Sequence, residues 1–233
     1  MQRLVCSVAA LAALASASSA GVINVSPIGG GLTLNSGPAP AFGPGLNFAS
    51  GSLAALNAQL NADGIITDGR ITFAAVDTDT GLAMVALIDQ AGLGGGADNV
   101  GVHMDSVSDV TSIALASDPI MVFPSGPNRI AFGEFAWDSL GDGDGFAWSN
   151  LSEGTSITWR FQKTGPLGLT EPATFQFVDW NGSNWELISV DPSEVTFSAS
   201  GEFGFAANVL VVPAPAGAAL LGLAGLAAFR RRR

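Results

Sequence analysis

Cysteine and histidine are nearly absent from this 233-residue chain, one of each, and tyrosine is missing altogether. One thiol and one imidazole exclude a disulfide scaffold and a Cys/His zinc site. A cysteine protease is excluded with them on the same numbers. Basic residues are scarce as well, 9 against 20 acidic ones. A surface this negative gains nothing from a polyanion, so nucleic acid is not expected as a partner. Charge of either sign is low at 12%, while 48% of residues are apolar, which excludes a disordered acidic tail. What the chain does have is glycine, 30 residues of it, and enough length for one large domain or two small ones.

The two ends are set apart from the middle. Arg3 gives residues 1–20 a positive start, residues 4–15 form an apolar run, and Ser18, Ser19 and Ala20 offer small side chains for cleavage before Gly21. This order predicts a secretory signal helix cut between Ala20 and Gly21. Cys6 leaves with it, so the mature chain is expected to be exported yet free of disulfides. At the other end, Val212-Pro213-Ala214-Pro215 precedes residues 216–229, which carry no charge or strongly polar group. The chain then finishes Arg230-Arg231-Arg232-Arg233. A helix over 216–229 rises about 21 Å at ~1.5 Å per residue, short of a bilayer core of ~30 Å. Pro213 and Pro215 resist extending it backwards. Four arginines stay on the cytoplasmic side, which leaves everything before Pro213 outside.

A Pro-x-Pro motif, an apolar helix and an arginine-rich end in that order resemble the PEP-CTERM sorting signal of exported bacterial proteins. Ala214 stands where that motif has Glu, so the segment is similar to the VPxPA-type variant. The resemblance covers about the last twenty residues. It implies transit through the general secretion machinery and transient anchoring in the inner membrane. It also implies recognition by an exosortase, a membrane cysteine protease that removes the tail near the motif. The expected destination is the cell envelope, the cell surface or the extracellular matrix.

Between the ends, four basic residues (Arg70, Arg129, Arg160, Lys163) face all 20 acidic ones, a balance of −16. Such a field favours solubility and attracts divalent cations. Residues 21–50, rich in Gly and Pro, predict an irregular lead-in with one strand near 32–35. Leu53, Leu56 and Leu60 recur at helical spacing over 52–62, with Ser52 as N-cap and Gly64 just beyond. From there the pattern turns to strands. Residues 71–76 and 82–88 flank a Gly-ended loop and predict a hairpin. Further strands are expected at 100–104, 110–115, 129–137, 145–148, 155–162, 173–180, 185–190, 195–200 and 203–211. The whole predicts an all-β class: one antiparallel β-sandwich over 51–211 with a single short helix, between the signal helix and the C-terminal tail of 212–233 with its hydrophobic helix.

Three places in the body offer chemistry. Phe135-Ala136-Trp137 recurs as Phe146-Ala147-Trp148. If these runs pair as a hairpin, four rings share one face, as a core cluster or as a stacking platform for sugars. The loop between them carries Asp138, Asp142 and Asp144 among glycines, a set of oxygens for Ca²⁺ or a solvated turn. It fails the EF-hand pattern, with Leu140 and Leu151 at the first and last ligand positions. Trp180-Asn181-Gly182-Ser183-Asn184-Trp185 predicts a second hairpin in which the two indoles face one another. That pair either closes the hairpin or, with Asn181, Asn184 and Glu186, contacts extracellular polysaccharide. Enzyme patterns are weak. His103 stands alone, no Gly-x-Ser-x-Gly or phosphate loop occurs, and only the unpaired Glu134, Glu153, Glu171 and Glu186 leave a two-carboxylate glycosidase open. The expectation is a non-enzymatic envelope or matrix component with no catalytic residue and no obligatory cofactor; the alternative is a carbohydrate-binding module.

Overall fold

The computed structural model describes residues 21–26, 31–38, 50–78, 81–88, 100–108, 113–116, 120–125, 128–136, 144–163, 175–190 and 202–211. The signal segment, residues 212–233, the glycines at 92–96, the strand expected at 195–200, Trp137, Asp138 and Asp142 lie outside them. The elements open with β1 (Val22–Ser26), β2 (Leu32–Asn35), β3 (Gly37–Pro38), α1 (Ser50–Ala62), β4 (Ile71–Thr78) and β5 (Gly81–Ile88). They continue with β6 (Val100–Ser108), β7 (Ile113–Ala116), β8 (Ile120–Ser125), β9 (Asn128–Ala136) and β10 (Asp144–Leu151). The last four are β11 (Ser156–Lys163), β12 (Phe175–Trp180), β13 (Trp185–Ile188) and β14 (Glu202–Val211).

The strands form two sheets. The first runs β2-β1-β14-β11-β6-β9-β8 and is antiparallel throughout. The second runs β13-β12-β4-β5-β10-β7 and is mixed, because β12 and β3 both lie parallel to β4. The expectation of purely antiparallel pairing is corrected there. β12 follows β4 from Ile71 to Ala74, and β3 takes over the same edge at Val76 and Asp77.

Where an irregular lead-in over 21–50 was expected, the described residues 21–26 and 31–38 carry strands of both sheets. β1 pairs with β2 on one side and with β14 on the other, well inside the first sheet. Ile23, Val25 and Leu34 are fully buried, and the apolar-polar alternation of Ile23-Asn24-Val25-Ser26 carried that signal in only a few residues. The expected hairpin of residues 71–88 forms, with its first strand two residues longer and its second one residue longer, so that Thr78 pairs directly with Gly81. The expected hairpin between the two Phe-Ala-Trp runs does not form. β9 belongs to the first sheet and β10 to the second, and the chain crosses between them. Phe146 and Trp148 nevertheless meet edge-on at 5.2 Å inside the core.

One core takes alternate side chains from both sheets. Phe73 of β4 is its hub. Its ring lies 4.7 Å from Phe205 of β14, 5.5 Å from Phe161 and 6.0 Å from Trp159 of β11, and 5.1 Å from Phe177 of its own sheet. Most of these are edge-to-face contacts, each worth about 0.5–1.5 kcal/mol beyond the area buried. A second apolar cluster lies on the opposite face of the second sheet. There Leu56 and Leu60 of α1 and Ile65 cover Ala74, Val76, Ala83, Val85, Leu87, Ala147 and Val178. A sheet buried on both faces reads as an unbroken apolar run, which is what Leu82–Ile88 of β5 shows.

Helix α1 stops where its sequence says it should. Ile65 N–H donates to the Leu60 carbonyl at 3.0 Å and Gly64 N–H to the Asn61 carbonyl at 3.0 Å. Gly64 takes φ +83°, so the helix closes in a Schellman turn with Ile65 folded back onto Leu60 in the second cluster. Its start is Ser50, two residues before the expected cap at Ser52.

Phe73→Ala removes the ring that joins the sheets and is expected to cost about 3–5 kcal/mol. A urea titration checks this: the midpoint falls while the slope is unchanged.

Candidate functional site

The second sheet ends in a handover at the β4 edge, and the side chains there come from four parts of the chain. The β12–β13 register is the one the sequence predicts, Trp180 opposite Trp185 and Phe177 opposite Ile188. Asn181 makes the turn: its side-chain oxygen accepts from the N–H groups of Ser183 and Asn184, both at 2.9 Å, and its amide donates to Glu186. Gly182 takes φ +97°, which the tight loop requires. The indoles of Trp180 and Trp185 meet edge-on at 5.4 Å.

The pair faces away from the main core, as expected, but that face is not open. Trp185 is 1% exposed and Trp180 half-buried. Trp185 belongs to the cluster under α1, and its backbone N–H donates to the Asp63 carboxylate at 2.9 Å, which ties the start of β13 to the end of the helix. Its ring also lies over the backbone of Gly37. A Cβ on Gly37 would stand 2.6 Å from Trp185 Cη2, so only glycine fits beneath it. An indole enclosed in this way has no free face for a sugar ring, and the geometry is that of a pair closing the hairpin. Asp63 and Gly37 carried no signal of these roles, since both sit where sequence reads only a helix end and a Gly-Pro turn.

The strap from β2 to β3 joins the two sheets through carboxylates. Asp179 of β12 accepts from the Asn35 backbone N–H and from its amide at 3.0 Å. Ser36, 2% exposed, accepts from Gly21 N–H at 2.6 Å and donates to Asp77 Oδ1 at 2.7 Å. Its own N–H donates to the Gly21 carbonyl at 2.7 Å. Burial pushes the Asp77 carboxyl above its ordinary value of 3.8, and the Ser36 hydroxyl draws it partly back.

Below α1 a second polar set fixes the loop into β4. Arg70 donates to Gln176 Oε1 at 2.9 Å, and the Gln176 amide donates to the Ile66 carbonyl at 2.9 Å and to Thr72 Oγ1 at 2.7 Å. These bonds hold the loop into β4 in place, while Arg70 Nε is buried without a hydrogen-bond partner among the described residues.

The other expected site residues are dispersed. Asp144 opens β10 opposite Ile88, while Asp138 and Asp142 lie outside the described residues. Among the described residues no group of three or more His, Cys, Asp and Glu is placed to hold a metal. Glu134 is on β9 in the first sheet, Glu186 on β13 in the second and Glu153 in the turn after β10, so these three belong to separate elements; Glu171 lies outside the described residues. His103 of β6 sits in register between Glu134 and Gln162. Gly21 is described and buried; Ala20, Val212, Pro213, Ala214, Pro215 and Arg230, Arg231, Arg232 and Arg233 are not described. No helix among the described residues is long and apolar enough to cross a membrane.

Comparison with protein-family models, with curated proteins and with solved structures gave no match in any of the three.

Gly37→Ala forces Trp185 out of its seat. The expected cost is about 1–3 kcal/mol, read as a lower Tm with a red shift in tryptophan emission. A raised pKa in the folded state means that Asp77 favours folding most below 3.8 and loses that contribution as pH rises through the raised value. Urea midpoints of the uncut chain measured across that window fall with pH, and the Asp77→Asn variant of the same uncut chain lacks that component of the slope.

Proposed function

We propose that this chain is an exported envelope protein, sorted through its PEP-CTERM-like tail, whose body is a β-sandwich with a non-enzymatic surface or matrix role. The observation that carries the reading is the pairing of Val22 with Val211. Directly opposed residues in neighbouring strands lie about 5 Å apart. The chain therefore enters the body one residue after the expected leader cut, and leaves it one residue before the sorting motif, at a single point on the first sheet. Both apolar segments are tethered to that point, so a leader and a tail can occupy the same membrane while one folded body hangs beneath them.

The sequence order supports the same reading. Residues 216–229 begin five positions after the last strand residue, which leaves only Val212-Pro213-Ala214-Pro215 as a spacer for a membrane protease. The balance of −16 across the body suits a solvated exterior, and its divalent counter-ions suit a matrix of acidic polymers. A carbohydrate-binding role through Trp180 and Trp185 draws no support from this geometry, since only Trp180 keeps an exposed part.

Mass spectrometry of the protein recovered from cells tests the proposal. The expected mature C-terminus lies within or next to residues 212–215, and deleting the exosortase leaves the tail attached and the protein in the inner membrane. A cytoplasmic protein with an intact Arg233 overturns it.

A further inference from the structure

The leader cut expected at Ala20–Gly21 would place a new charge inside the body. Gly21 is buried, and a Cβ there would lie 2.6 Å from Leu82 Cδ1, a side chain that is itself fully buried. Its nitrogen already points into a polar relay: 2.6 Å to Ser36 Oγ, then 2.7 Å on to Asp77 Oδ1. In the uncut chain that nitrogen is a neutral amide, and among the described residues the half-buried carboxylate at the end of the relay receives a hydroxyl hydrogen bond.

We propose that Gly21, Ser36 and Asp77 form an ammonium site whose ligand is the chain's own mature N-terminus. Hydrolysis of the Ala20–Gly21 bond consumes one water, leaves a carboxylate on the departing leader and gives Gly21 a primary ammonium. That group carries three hydrogens; one keeps the bond to Ser36 Oγ, whose hydroxyl continues to donate to Asp77. A cation and an anion joined through one buried hydroxyl offset each other's loss of water, whereas either alone in that place is costly. Glycine at this position serves two ends: it is the small residue after the cleavage site and the only one without a Cβ to collide with Leu82. The strap of residues 35–38 runs beside the start of β1, with Asn35 paired to Val22 and Ser36 N–H on the Gly21 carbonyl. Leader removal then locks the strap, and with it β3 and the seat of Trp185 over Gly37, so that the processed body is the more stable one. The proposal rests on the export reading, which supplies the cut.

The test compares two forms of the otherwise full chain in the same detergent, one beginning at Gly21 and one at Ala20. The second moves the ammonium one residue outward and leaves an amide at Gly21. The form beginning at Gly21 is expected to melt higher by about 2–6 °C, and Asp77→Asn is expected to abolish the difference. A second measurement does not require that variant to fold: the α-amine of the form beginning at Gly21 should react at least about tenfold more slowly with an amine-acylating ester than that of the form beginning at Ala20. Equal melting temperatures, or equal acylation rates, overturn the ammonium site and leave the export reading standing. N-terminal sequencing of the protein recovered from the cell envelope separates the two failures. A first residue other than Gly21 overturns the cut itself, while Gly21 in first place supports it.

Discussion

The antiparallel contact between the first and last strands governs this molecule. β14 lies between β1 and β11, so the first sheet is incomplete until residues 202–211 have reached it. The closing contact spans nearly the whole body, from Val22 to Val211, and contacts of such sequence separation form late and slowly. Under the proposed export, a chain threading through a membrane unfolded and N-terminus first would not finish this sheet before residues 202–211 had crossed, and the proposed sorting tail would follow directly.

That closure depends in turn on how the two sheets are joined. The aromatic hub around Phe73 supplies the cohesion, with rings of β11 and β14 interleaved with those of β4 and β12. Direction comes from the polar strap: Asp179 fixes Asn35, and Ser36 links the start of β1 to the end of β4. The apolar contacts tolerate sliding; the hydrogen bonds do not, so the strap sets the register in which the hub packs. The sequence's one cysteine, Cys6, lies outside these strands, so no disulfide joins the sheets and these contacts alone hold them together.

Much of this was legible wherever the physics is local. Gly64 marks the end of α1, the hairpin of β4 and β5 follows from its Gly-ended loop, and the opposition of Trp180 and Trp185 follows from a four-residue turn. What escaped is set by distant partners. Val22–Ser26 is too short and too close to glycine and proline to announce a strand, and it gains its place from β14, far along the chain. The echo of Phe-Ala-Trp looked like a hairpin because pattern cannot distinguish two strands that pair from two that face each other across a core. The burial of Trp185 escaped for a similar reason: its face is polar or apolar according to whether a helix covers it, and α1 is more than a hundred residues away. The helix left a trace that could have been read, the unbroken apolar run of β5.

β1 and β14 lie side by side in the first sheet, and because Cys6 is the sequence's one cysteine an introduced pair makes this contact measurable. Asn24 and Asn208 are directly paired, half-buried and off the main core. With Asn24→Cys and Asn208→Cys introduced together, protein recovered from the cell envelope under oxidising conditions is predicted to carry an intramolecular disulfide between those positions, seen as faster migration before reduction and as a linked peptide by mass spectrometry. Two free thiols on a folded, exported protein would contradict the account.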